Sequence, residues 1–129
     1  MRESIVRRVF GSQYELRCTF CGQKGRTAKC DIAIPTRADP RILIESKGYG
    51  ATGSKMTDVI GDIEKILAAK RPDTAFLFLT DGLTWKQRKN DLRRIVDYQN
   101  NGDITRIYTS AMADQLQADL ETLRAEHAL

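Results

Sequence analysis

Residues 28–47 read AKCDIAIPTRADPRILIESK, and their alternation decides the fold. Ala28, Cys30, Ile32 and Ile34 face one way while Lys29, Asp31 and Ala33 face the other, the period-two pattern of a half-buried strand, and the run ends at Pro35. Asp39-Pro40 turns the chain. Arg41 to Lys47 then resumes the alternation, with Ile42, Ile44 and Ser46 on one face and Arg41, Leu43, Glu45 and Lys47 on the other. Glu45 and Lys47 therefore share a face, their Cα atoms roughly 6.6 to 6.8 Å apart. Thirteen residues separate Asp31 from Glu45, enough to finish a strand, turn and return, so Asp31 is expected beside Glu45.

Outward from this pair of strands the elements follow in order. Upstream, Ser4 to Phe10 reads as a short amphipathic helix stopped at Gly11, and Tyr14 to Phe20 alternates as a strand joined by the Gly22 to Gly25 turn. Downstream, the glycine-rich residues 48–53 lead to Met56, Val59, Ile60, Ile63, Ile66 and Leu67 at helical spacing, with Ser54 as N-cap and Pro72 beyond the end. Thr74 to Leu79 is nearly all apolar, as a strand covered on both faces must be. Trp85, Leu92, Ile95 and Val96 mark a third helix, Ile104 to Thr109 a last strand, and Ser110 caps a final helix bearing Met112, Leu116, Leu120 and Leu123. Helix-connected strands pair in parallel and the first three form a meander, so an α/β fold with a central mixed sheet flanked by helices is expected over residues 1–129 as one domain.

Composition narrows the chemistry. The 129 residues are 41% hydrophobic and 29% charged, ordinary for a globular chain. No apolar run approaches the roughly 20 residues of a membrane helix, and the N-terminus opens on charges, so a cytoplasmic protein without membrane contact is expected. His127 is the only histidine, which excludes a Ser-His-Asp triad and multi-histidine metal sites. Residues 1–55 carry 11 Lys/Arg against 5 Asp/Glu, whereas residues 56–129 carry 10 against 12. Such a basic first part suits a nucleic-acid surface.

Asp31, Glu45 and Lys47 are the candidate chemistry. Two carboxylates together on a sheet repel each other, and a hard cation such as Mg²⁺ removes the conflict. A lysine alongside can orient an attacking water and neutralise charge developing at phosphorus. A bare Glu-x-Lys would otherwise read as an exposed pair worth little. The order of acid, strand turn, Ile44-Glu45-Ser46-Lys47 and amphipathic helix resembles the PD-(D/E)xK phosphodiesterase superfamily. It is closest in style to type II restriction endonucleases, because Glu45-Ser-Lys47 runs into GATGSKMTDVIGD at residues 50–62.

That resemblance implies a restriction-endonuclease-like αβββαβ core, followed here by a further helix, strand and helix. It implies that Asp31, Glu45 and the carbonyl of Ser46 bind Mg²⁺ and that Lys47 assists the water that hydrolyses a DNA phosphodiester to a 5′-phosphate. Cys30 stands where the motif has proline, and Glu3 is the sole candidate for the glutamate that such enzymes often carry on the first helix. Cutting both strands needs two sites, so a homodimer, a partner subunit or a specificity domain is expected.

Lys24, Arg26 and Lys29 cluster where a duplex backbone could lie, and Ser54 and Lys55 at a helix start could meet a phosphate. Lys86, Lys89 and Arg93, widened by Arg88 and Arg94, form a basic stripe that suits either DNA or solvent. Gly53-Ser54-Lys55 inverts the P-loop order, which excludes nucleoside triphosphate binding, and Pro72-Asp73 lacks a following acid-x-Lys. Cys18, Cys21 and Cys30 lack a fourth zinc ligand, so Cys18 and Cys30 are expected as core thiols. The rival functions are a non-catalytic DNA-binding or assembly module of the same fold and a zinc-binding interaction domain.

Overall fold

Alternating apolar and polar residues lay down the first half of the sheet. In the computed structural model, which describes residues 2–47, 54–80 and 89–129, β1 (Glu15–Cys21) pairs antiparallel with β2 (Thr27–Ile34), and β2 with β3 (Ile42–Lys47). β4 (Ala75–Thr80) and β5 (Arg106–Tyr108) add in parallel, each preceded by a helix: α2 (Ser54–Ala69) before β4 and α3 (Lys89–Asn100) before β5. Strand order follows chain order. With α1 (Arg2–Phe10) and α4 (Ala113–Glu126), the elements and their pairing are those expected of a mixed α/β fold.

Each face of the sheet has its own core. Ile5, Val6, Val9 and Phe10 of α1 and Leu116 and Leu120 of α4 pack against Ile32, Ile34, Ile42, Ile44 and Leu77. On the opposite face, Val59, Ile60, Ile63 and Ile66 of α2 and Ile95 of α3 pack against Ala33, Leu43, Phe76 and Phe78. All six residues of β4 are buried because both faces are covered, as their unbroken apolar run requires.

Three details depart from the sequence pattern. β5 is shorter than Ile104 to Thr109, because the Ile104 amide closes the end of α3 on the Tyr98 carbonyl and Ile104 itself packs under α2 and α3. Ser110 does not cap α4: it begins a 3-10 turn, and Met112 takes the N-cap position with no side-chain hydrogen bond. Val96, counted among the apolar markers of α3, is 37% exposed, whereas Ile95 is fully buried. Trp85, Lys86 and Arg88 lie outside the described residues.

The β1–β2 hairpin docks on the C-terminus of α2, where the Gln23 and Arg26 side chains both donate to the Ala68 carbonyl. Gly22 makes the approach possible, since a Cβ there would fall on the Ala69 carbonyl. Gly61, inside α2, has open space around it. Gly22→Ala is therefore expected to destabilise the fold by about 1–3 kcal/mol, and Gly61→Ala to stabilise it by about 0.5–1 kcal/mol. Urea denaturation of the two variants checks for these opposite signs.

Candidate active site

A break in strand alternation builds the site. Leu16 pairs with Ile32 and Cys18 with Cys30, leaving Arg17 opposite Asp31 between them. Ile32 packs on the α1–α4 side, but Cys30 packs on the α2–α3 side, which two residues of a regular strand cannot do. The alternation slips once, and across from the slip the Arg17 backbone lies in the left-handed region at φ 45. Such irregularities re-aim side chains beside functional sites. Here the consequence is that Cys30 and Asp31, neighbours in sequence, both face α2. Cys30 is a core thiol as expected, but in the core opposite the one its spacing with Ile32 and Ile34 indicated.

The β2–β3 ladder ends at Ile32 and Ile44. Just beyond it, the Asp31 amide donates to Glu45 Oε1 at 3.2 Å, and the Ser46 amide donates to Asp31 Oδ2 at 2.8 Å, with the Ser46 hydroxyl donating to the same oxygen at 3.3 Å. The two carboxylates take the amides that the ladder leaves unpaired. Each is thereby held by backbone rather than by a flexible side chain.

Burial makes this pair electrically uncomfortable. Glu45 is only 5% exposed, and burial followed by the charge of Asp31 pushes its pKa from the ordinary 4.5 to about 8. Lys47 donates to Asp62 Oδ2 on α2 at 3.0 Å. Burial pulls the Lys47 ammonium down, but the hydrogen bond to Asp62 and the charges of Glu45, Asp62 and Asp31 outweigh it and leave its pKa raised. Lys47 is therefore a held cation at neutral pH. These four groups line a cavity of about 750 Å³ together with Arg17, Lys29 and Lys65.

The structure thus brings Asp31, Glu45, Ser46 and Lys47 together, and Lys29 joins them. Lys24 and Arg26 stay out at the hairpin turn, Lys24 in the 3-10 turn Gln23–Gly25 and Arg26 on the Ala68 carbonyl. The side chains of Ser54, Lys55 and Lys89 lie outside the described residues. Arg94 of the basic stripe pairs with Glu64 of α2, and Arg93 is exposed. Glu3 does not reach the cavity: it pairs with Arg7 at 3.9 Å and lines a separate hollow with Tyr14 and Leu16. Cys18 and Cys30 face each other across the strands with their sulfurs 3.9 Å apart, and Cys21 is exposed. No group of three or more His, Cys, Asp or Glu gathers as a metal cluster among the described residues.

Asp62, Lys65 and Arg17 are the charged cavity residues that the sequence pattern did not single out. Asp62 and Lys65 were legible as polar neighbours three apart on α2, one face of a helix, but nothing local tied that face to the strand carrying Lys47. Arg17 had no signal, because only the slip in alternation aims it inward.

Residues 2–115 match the family model described as DpnII restriction endonuclease. No curated protein and no solved structure matches the chain.

The raised Glu45 pKa has a signed consequence for stability. Its folded value lies above its unfolded one, so the protonated carboxyl's contribution is complete below about pH 4.5 and is lost as pH rises through about 8. In chelator, the wild type is expected to lose roughly 2–4 kcal/mol relative to Glu45→Gln between pH 5 and pH 9. Urea denaturation of both proteins across that range measures the difference.

Proposed function

The chain belongs to the DpnII restriction endonuclease family, and on that footing we propose that it is a Mg²⁺-dependent endodeoxyribonuclease of the PD-(D/E)xK type acting through Asp31, Glu45 and Lys47. The family makes DNA the substrate and phosphodiester hydrolysis the reaction class. The observation carrying the finer assignment is the carboxylate fork, in which two acids lining a cavity are fixed by backbone with a held lysine beside them.

The donor set suits Mg²⁺, which takes oxygen ligands and needs one or two carboxylates while keeping waters and substrate oxygens. Asp31 and Glu45 supply the carboxylates. Ser46 points its amide at Asp31, and its carbonyl is the third protein oxygen that the resemblance to PD-(D/E)xK enzymes implies. When bound, the ion would offset the burial and the Asp31 charge that together raise the Glu45 pKa, lower the pKa of a coordinated water and polarise the phosphoryl oxygens.

The chain's own residues do the rest. Asp31 and Glu45 hold their positions through Ser46 and Asp31 amides and need no rearrangement. Lys47, kept charged and oriented by Asp62, faces the same cavity and neutralises the negative charge that grows as water attacks phosphorus. Water's oxygen bonds to phosphorus and the bond to the 3′-oxygen breaks, leaving a 5′-phosphate and a 3′-hydroxyl. Lys29 at the cavity, Lys24 and Arg26 on the hairpin, and Ser54 and Lys55 at the start of α2 are the proposed DNA contacts. A double-strand cut requires two such sites, from a second copy of the chain or from a partner. The three free thiols suit a reducing cytoplasm.

Cleavage of supercoiled and linear DNA in Mg²⁺ and in EDTA tests this assignment. Cutting is expected only in Mg²⁺, with Lys47→Ala and Asp31→Asn each slower by at least about 10²–10³-fold while still binding duplex DNA in Ca²⁺. Equal cutting in EDTA, or full activity in Lys47→Ala, would overturn it.

A further inference from the structure

We propose that Arg17 is a phosphate-binding residue of the cleavage site, its guanidinium contacting a phosphodiester oxygen of the DNA strand that enters beside the Asp31–Glu45 fork. The proposal rests on the nuclease assignment above and adds a residue that neither the acid-x-lysine pattern nor the basic clusters of the sequence contain.

Three observations carry it. First, Arg17 occupies the left-handed region at φ 45 in the middle of β1, a conformation that Gly adopts freely and that an arginine adopts only where its surroundings impose it. Such strain concentrates at functional sites. Second, the strain re-aims the side chain. Regular alternation from Cys18, which packs toward α2, would send Arg17 to the α1–α4 side. The slip instead turns Arg17 and Cys18 together toward the cavity, opposite Asp31.

Third, the Arg17 side chain has no ion pair or hydrogen bond among the described residues, although Asp31, Glu45 and Asp62 line the same cavity. The side chain is exposed and lines the cavity with no partner among the described residues. A planar guanidinium with five donors matches the paired oxygens of a phosphodiester better than an ammonium does. Lys29 and Lys65, exposed and likewise without an acidic partner among the described residues, flank it at the same cavity. The cavity therefore has an acidic floor at Asp31 and Glu45 and a cationic wall. The floor suits a metal ion, and the wall suits the strand whose phosphate it must hold.

The test uses Arg17→Gly, Arg17→Lys and Arg17→Gln. Duplex binding is followed by fluorescence anisotropy in Ca²⁺ across a salt series, and cleavage in Mg²⁺. Arg17→Gly relieves the backbone strain and removes the cation. It is expected to melt at or above the wild-type temperature while binding DNA roughly tenfold more weakly, with a salt slope shallower by about 0.9, the value for one phosphate contact.

Arg17→Gln keeps an unbranched polar side chain and the backbone strain but not the charge, so it is expected to lose the same contact. Arg17→Lys should recover part of the affinity and the slope. Wild-type affinity and slope in both Arg17→Gly and Arg17→Gln would overturn the proposal, as would binding lost equally in Arg17→Lys and Arg17→Gln. Failure of the nuclease assignment shows up separately, as absent Mg²⁺-dependent cleavage in the wild type whatever the binding data.

Discussion

The amide of Ser46 donates to Asp31 at 2.8 Å while the amide of Asp31 donates to Glu45 at 3.2 Å, and on this exchange the rest of the site depends. Without this exchange both amides would need other partners and the acids would be free to swing into solvent. By ending at Ile32 and Ile44, the sheet leaves the donors to the carboxyl groups and fixes two acids against each other. Charge-assisted bonds of this kind hold position well, but they leave the carboxylate repulsion in place. A fold built for stability alone would not keep Glu45 buried beside Asp31 with its pKa pushed to about 8.

What tolerates that strain is the packing around it. β3 lies between β2 and β4 with Ile42, Leu43 and Ile44 buried, so the residues leading to Glu45 are clamped from both faces. α2 contributes twice: Ile60, Ile63 and Ile66 close the core under the sheet, and Asp62, on the same helix, reaches Lys47. The hairpin is tied back to the end of α2 through Gln23 and Arg26. Site and scaffold thus share their elements, and a shift of α2 would loosen the lysine as well as the core.

Much of this was legible in the chain. Alternation, helical spacing and turn residues placed the strands and α-helices of the described residues, and the two-residue step from Glu45 to Lys47 put both on one face. The apolar run from Ala75 to Leu79 marked the strand with two covered faces. What escaped was whatever depends on a break in regularity or on contacts distant in sequence. Period-two counting put Cys30 with Ile32 and could not foresee a slip at Arg17, because a single left-handed residue leaves no trace in composition. Asp62 escaped because which helix face meets which strand is set by tertiary packing. Glu3 was aligned with the site by analogy alone, and α1 carries it to the far face of the sheet, beside Arg7.

The most direct test of the central claim, that the Asp31–Glu45 fork is a divalent-cation site completed by proton loss, is calorimetric titration of Mg²⁺ into the protein in two buffers of different ionisation enthalpy. Because Glu45 carries its proton near neutrality, the account predicts release of close to one proton per bound ion at pH 7. It also predicts that the release vanishes at pH 9, and that binding is lost in Asp31→Asn. Binding that releases no proton at pH 7, or that survives Asp31→Asn undiminished, would place the ion elsewhere and contradict the account.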